Sequence, residues 1–511
     1  MMSRTFRVLS IVLLVVAGGL LYATRLGEVP VYVMHDEAQG ALQAHAIATT
    51  GRDLSGRLLP LYFTEPEFPP GRDPALIYVT AAGLKLLPFN EAAVRTPTAV
   101  IAVLNVVLTF LVARRLFRSN AMGLVAAGML LLTPIHFIRG RLLLSPLYSI
   151  PFILAWLWSF ARFEEERTSR RLVMAAIWLG LGAYSYLAAV VMMPIYLAVT
   201  LAIGYRRLGL GAAARAVGAF AATLIPMVWW YVTHPERNSQ IVSAYQLDAN
   251  AESPLTRWIG MYWSFFDPAF LFVSGDASLI NSTREAGFFP MVFALLLPLG
   301  LYQVVRLRQP LPTAIAIGFA TAPLVSMISG AIEMNRVMFA IPFGVLLAAY
   351  GAHMLLRARP IAIRVAAVLL LLTIPWQFAG LYAGYFGGYG RTASPWLAGN
   401  VREALRALMA QAETRQGPVY ISQEIEWVHR TWRFYAITDG RMDLIDRTSY
   451  YMDTPPADAP PGAMLICPAS SERCRALKQD GWLETATVPS LDGSRAFILL
   501  TRPERVAAGR Q

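Results

Sequence analysis

Apolar runs long enough to cross about 30 Å of hydrocarbon recur along this chain, separated by short connections crowded with arginine. No water-soluble core of this size absorbs so much apolar sequence. At 511 residues, 56% of them hydrophobic, and with a mean hydropathy of +0.48, the chain reads as a multi-pass α-helical membrane protein. A net charge of +12 raises nucleic acid as a partner, but the placement of the charge argues against it. The arginines fall between the apolar runs: Arg4 and Arg7; Arg114, Arg115 and Arg118; Arg162, Arg167, Arg170 and Arg171. The series continues with Arg206, Arg207 and Arg215, then Arg306 and Arg308, then Arg357, Arg359 and Arg364. Clustering in short loops on one side is the positive-inside pattern, which fixes orientation. Membrane lipids, not nucleic acid, are the surroundings it implies.

With those clusters taken as cytoplasmic, eleven spans are expected, near 8–24, 95–116, 120–137, 146–162, 171–187, 189–205, 211–232, 288–306, 311–329, 336–356 and 361–381. The N-terminus then lies in the cytoplasm and the C-terminal part outside, in a bacterial-type inner (plasma) membrane. The apolar stretch 75–87 is short and interrupted by Gly83 and Lys85. As a span it would invert every later loop, so it is expected as a helix lying on the membrane surface. The first span is expected to stay as an anchor, since no clean small-residue cleavage site precedes Arg25. Cys467 and Cys474 both fall on the outer side, where a disulfide and two separate thiols are equally open readings.

Three regions are expected outside. The first loop, 25–95, holds His35-Asp36-Glu37, a helical pattern closed by Gly51, and a Pro- and aromatic-rich turn through Leu59–Phe63 and Glu65–Gly71. The second, 233–287, holds Gly275-Asp276 and Asn281-Ser282-Thr283-Arg284-Glu285. The third, 385–511, reads as a small α/β domain with helices near 396–412 and 471–479 and strands at Val419–Ser422, Met464–Cys467 and Ala496–Thr501. The rest, 1–384, is expected to form one membrane domain. No solenoid or inverted-transporter repeat stands out. The last residues, 502–511, read as a frayed tail.

Carboxylates where a span meets outer water can act on a lipid-borne substrate. If Asp36 opens the helix that follows, the helix N-terminus stabilises its anion by about 0.3–1 kcal/mol. An ionised carboxylate there can accept a proton from an acceptor hydroxyl. A sugar on a lipid phosphate carries a good leaving group, so one base and cations for the departing phosphate suffice. The bland reading is an ordinary N-cap acid. Arg139 and Arg141 follow the third span on the outer side, against the positive-inside rule, and guanidinium groups grip phosphate oxygens in pairs. Contact with ordinary phospholipid is the plainer account. Arg336 opens the tenth span from outside, where a salt bridge to Glu333 is the competing role. His136 and His234 read as structural, Asp267 and Asp276 as a turn unless the site uses them. No metal constellation or cofactor motif is evident, and divalent-metal use is left open.

His35-Asp36-Glu37, the following Gly51-Arg52-Asp53 with Pro60-Leu61-Tyr62, and the many spans together resemble the GT-C superfamily of glycosyltransferases. The branch is that of the protein mannosyltransferases and aminoarabinose transferases, glycosyltransferase family 39 and its bacterial relatives, and the resemblance covers 1–381. It implies a GT-C-like membrane domain with surface helices in the first outer loop. It also implies a polyprenyl-phosphate-linked sugar donor, hexosyl or pentosyl transfer with inversion, and a protein, lipid or glycan acceptor. Asp36 becomes the catalytic base with Glu37 beside it. Arg139, Arg141 and Arg336 hold the donor phosphate, and His35, Arg52, Asp53, Tyr62 and Asp276 position donor or acceptor. The family often places another acid after the third span, where this chain has Arg139, Arg141 and Ser145 but no carboxylate. Two other classes compete: a flippase of lipid-linked saccharides, and a sensor or scaffold using the outer domain. Spans almost free of ionisable side chains speak against the first, and eleven spans exceed what an anchor needs.

Overall fold

The structure is a computed structural model describing residues 4–65, 68–204, 209–236, 254–329, 332–397, 399–452 and 459–503. Pro66 and Glu67 of the aromatic-rich turn, Arg206 and Arg207, part of the region expected as the second outer loop (237–253) and the tail from 504 onward lie outside the described residues. The chain divides into two compact units. The first comprises Met1–Thr24, Arg57–Thr80 and Arg95–Gly384; the second comprises Arg25–Gly56, Ala81–Val94 and Tyr385–Gln511.

The helices run α1 Arg4–Ala23, α2 His35–Thr50, α3 Pro74–Leu84, α4 Glu91–Phe117, α5 Asn120–Leu131, α6 Pro134–Arg139, α7 Ile150–Glu166, α8 Ser169–Gly182, α9 Ala189–Gly204 and α10 Leu210–Thr233. They continue with α11 Pro254–Ser264, α12 Phe293–Leu307, α13 Pro310–Thr321, α14 Leu324–Ser329, α15 Ala340–Leu356 and α16 Ile361–Phe386. Each of the eleven expected segments contains a helix, two of them as broken pairs, α5–α6 and α13–α14. The breaks have local causes. Thr133-Pro134 restarts the chain after α5 because proline suits a first helical turn and not a helix interior. By length and apolarity, five described helices are long enough to cross a membrane, and further apolar helices are shorter.

In the first unit α15 is buried along its whole run from Ala340 to Ala352. It packs on α12, where a side chain added at Gly300 would strike the Leu347 carbonyl and one at Gly351 the Leu296 carbonyl. Small residues at such a crossing let two backbones approach closely. Leu9 and Leu20 of α1, Trp229 and Val232 of α10, and Leu369 and Trp376 of α16 are exposed. An outer face of that kind is satisfied by lipid rather than water. A short antiparallel pair, β1 Phe63–Glu65 and β2 Phe68–Arg72, occupies the Pro-rich turn of the first loop.

The second unit holds a five-stranded sheet of β3 Val419–Ser422, β4 Thr448–Tyr451, β5 Met464–Pro468, β6 Leu483–Pro489 and β7 Arg495–Thr501 in the order β4-β3-β5-β7-β6. Strand β3 pairs in parallel with both β4 and β5, while β7 is antiparallel to β5 and β6. The helices of this part are α17 Tyr389–Ala393, α18 Val401–Thr414, α19 Val428–Thr438 and α20 Glu472–Ala476. The expected helix at 396–412 begins later, because the Pro395 turn and the left-handed Gly399 (φ 60°) precede α18. Cys467 and Cys474 are joined in a disulfide within the core that Leu465, Trp482 and Ile498 share. In this unit α2 packs directly on α19.

Candidate functional site

The backbone turns into α2 at Met34, not at Asp36. Met34 has extended backbone angles (φ −73°, ψ 160°), and its carbonyl accepts from the Ala38 N–H at 2.9 Å. Asp36 is therefore the second helical residue rather than the N-cap. The capping contact comes from Glu37, whose carboxylate reaches back to accept from the Met34 N–H at 3.4 Å. Glu37 is fully buried, whereas the Asp36 side chain is 38% exposed. Of the two acids, Asp36 is the one accessible to solvent, and it retains the favourable field of the helix N-terminus. His35 Nε2 stands 3.8 Å from Asp36 Oδ1, and the His35 ring lies 6.1 Å from that of Trp427.

Gly51, left-handed at φ 70°, closes α2 as the sequence implies. The turn beyond is held by its own side chains. Asp53, buried, accepts from the Ser55 N–H at 3.0 Å and the Ser55 hydroxyl at 2.8 Å. Arg52 donates to the Gly56 carbonyl at 2.7 Å, and the Leu54 N–H donates to Gln43 on α2 at 3.2 Å. Both residues shape the loop.

The remaining candidates lie in the first unit. Arg139, at the end of α6 and 3% exposed, donates from Nη1 to Asn281 Oδ1 at 2.9 Å. Asn281 in turn donates to Asp276 Oδ2 at 3.0 Å, and the Met334 N–H donates to the same oxygen at 2.9 Å. Asp276 Oδ1 accepts from the Ser278 N–H at 2.9 Å. An amide thus stands between the Arg139 guanidinium and the Asp276 carboxylate. Arg141 is placed differently: its guanidinium donates to the carbonyls of Tyr22 (2.8 Å), Thr24 (2.7 Å) and Leu21 (3.3 Å) at the end of α1. Those are carbonyls a helix terminus leaves open. Arg336 is in an ion pair with Glu333 at 3.2 Å, in the turn before α15. His136 is buried, with the Tyr22 hydroxyl 2.7 Å from its Nδ1.

Tyr62 is buried against Trp230 (ring centroids 4.7 Å apart) and Tyr231 (5.9 Å). Burial pushes its phenol well above the usual range, and Tyr231 and Asp73 push the same way. Its hydroxyl meets no hydrogen-bond partner among the described residues. The Arg57 guanidinium donates to the Tyr62 carbonyl at 3.2 Å. Among the described residues, no three His, Cys, Asp or Glu side chains converge as metal ligands would. Asn281 was not legible as a partner of Arg139, since 142 residues separate them. The buried cation after a span was the one available signal.

The chain thus combines a many-helix unit, a first-loop helix with an accessible acid in its first turn, and a small mixed sheet. Residues 69–230 match the family model of dolichyl-phosphate-mannose-protein mannosyltransferase. The whole chain superposes on the crystal structure of ArnT from Cupriavidus metallidurans in the apo state, with a TM-score of 0.65, 16% identity and 99% of each chain covered. The same protein bound to undecaprenyl phosphate gives 0.62 at 16% identity, covering 100% of each chain. The apo oligosaccharyltransferase of Archaeoglobus fulgidus gives 0.53 at 12% identity, covering 91% of this chain and 70% of that one. No protein of curated function matches in sequence. The fold is that of ArnT, and residues 69–230 carry sequence similarity to the protein mannosyltransferase family model.

Proposed function

We propose that this protein is an inverting glycosyltransferase that moves a hexosyl or pentosyl group from a polyprenyl-phosphate carrier to an acceptor hydroxyl of a protein, lipid or glycan on the extracytoplasmic side of a plasma membrane. The observation that carries the proposal is the pairing of an accessible Asp36 with a buried Glu37 in the first turn of α2, in a chain with a GT-C fold. That one ArnT structure is bound to undecaprenyl phosphate supports a carrier of that chemistry. The arginine clusters support an N-terminus in the cytoplasm and residues 385–511 outside.

In the reaction, Asp36 accepts the acceptor's proton as the acceptor oxygen bonds to the anomeric carbon. The bond from that carbon to the phosphate oxygen breaks on the opposite face, and polyprenyl phosphate leaves with the electron pair. Attack opposite the leaving group inverts the anomeric centre. Arg139 answers the charge gathering on the phosphate. Its link to Asp276 runs through a neutral amide, which orients the guanidinium while the carboxylate's nearest bonds go to Asn281, Ser278 and Met334. Arg141 serves as a cap for α1, and Glu37 fixes the backbone that carries Asp36.

The test is transfer by the purified protein in lipid, supplied with labelled polyprenyl-phosphate sugars and a membrane extract as acceptor. The expected result is a labelled product of inverted anomeric configuration and one polyprenyl phosphate released per sugar moved. A product of retained configuration, or lipid movement between leaflets without sugar transfer, contradicts it.

A further inference from the structure

Trp427 comes from the other end of the sequence, yet its ring lies 6.1 Å from that of His35, the neighbour of the candidate base. It lies between β3 and α19, at the carboxyl end of a strand flanked by two parallel neighbours. That edge of an α/β sheet is where such folds place functional groups. Its backbone is left-handed (φ 53°, ψ 27°), an unusual state for a large side chain that costs about 1–3 kcal/mol. The buried Arg430 guanidinium lies over its face, 4.3 Å from the ring centroid, and its indole N–H donates to Glu426 at 3.1 Å. The indole is therefore held firmly beside His35, whose Nε2 stands 3.8 Å from the Asp36 carboxylate. The packing of α2 on α19 brings the two segments together.

We infer that Trp427 is a positioning residue for the transfer reaction: it holds the His35 imidazole, and through it the orientation of Asp36. The inference rests on the function proposed above and gives the 385–511 segment a part in catalysis. A strained backbone, a cation over one face and a hydrogen bond at the indole edge are all devices that fix a ring. The ring so fixed then limits the rotamers of His35, whose Nε2 faces the carboxylate.

The experiment measures kcat and KM for donor and acceptor in the full-length protein in lipid, for Trp427→Gly, Trp427→Phe, His35→Ala and the Trp427→Gly/His35→Ala double variant. Glycine suits φ 53°, so the fold is kept while the ring is lost. The expected result is a drop in kcat of about tenfold or more for Trp427→Gly and for His35→Ala, with KM values unchanged. The double variant is then no worse than the singles, and Trp427→Phe retains most activity. A wild-type kcat in Trp427→Gly, losses that multiply in the double variant, or a rise in KM alone overturns the inference and leaves the proposed function standing. A native protein that transfers no sugar overturns both. A melting temperature for Trp427→Gly at or above the native value separates positioning from a folding defect.

Discussion

Asp36 and Glu37 are adjacent in sequence and opposite in burial, and that contrast divides their chemistry. Glu37 turns inward and closes the helix start, while Asp36 keeps contact with solvent. The sequence marks both as candidates, and only the backbone turn at Met34 separates them. Arg139 and Arg141 divide similarly. Arg139 is linked to the Asn281 amide, and Arg141 is spread over three carbonyls at and just beyond the end of α1. We therefore expect Arg139→Gln to raise the KM for a polyprenyl-phosphate donor by about tenfold or more, because a charge-assisted phosphate contact is worth roughly 1.5–3 kcal/mol. Arg141→Gln is expected to lower the melting temperature while leaving the donor KM of the folded fraction near native. Steady-state kinetics and thermal unfolding of the two variants side by side check this. The reverse assignment of effects would exchange their roles.

At the scale of elements, the long helices were legible because apolar runs and arginine clusters repeat through the chain. The central strands β3, β5 and β7 were legible for a related reason: their buried residues form continuous apolar runs. Strands β4 and β6 were not, and both are edges of the sheet with mostly polar or exposed positions. Helix α19, with its Trp, His and Arg residues, carries too mixed a pattern to announce itself. The start of α4 shows a kind of contact that no local pattern encodes. Glu91, nearly buried, accepts from Arg402 of α18 at 3.2 Å and from the Tyr435 hydroxyl of α19 at 3.2 Å. Phe89 just before it packs between His45 of α2 and Phe434 of α19. Glu91→Ala leaves the Arg402 guanidinium and the Tyr435 hydroxyl short of a partner, so it is expected to cost about 2–4 kcal/mol. Thermal unfolding of the protein in detergent reads this as a fall of several degrees, smaller in Glu91→Gln. An unchanged melting temperature in Glu91→Ala would remove Glu91 from the scaffold of this unit.

For the whole molecule, hydropathy and charge placement alone reveal the class, a many-helix membrane protein. They do not reveal how the chain is grouped. The 25–94 segment is divided, with 25–56 and 81–94 joining the sheet-bearing unit and 57–80 joining the helical one. Groupings of this kind depend on contacts between residues hundreds of positions apart, such as Glu91 with Arg402 and His35 with Trp427. Local periodicity carries no record of them. The candidate base thus belongs to the unit built around the C-terminal sheet, and the candidate phosphate-binding arginine to the helical unit. The role of Asp36 as base is read out by single-turnover transfer of a labelled sugar from polyprenyl phosphate, by the native protein and by Asp36→Asn, both reconstituted in lipid. Transfer by the native chain is expected, with a loss of at least about a hundredfold in Asp36→Asn at an unchanged melting temperature. Native-like transfer by a folded Asp36→Asn protein would contradict that role.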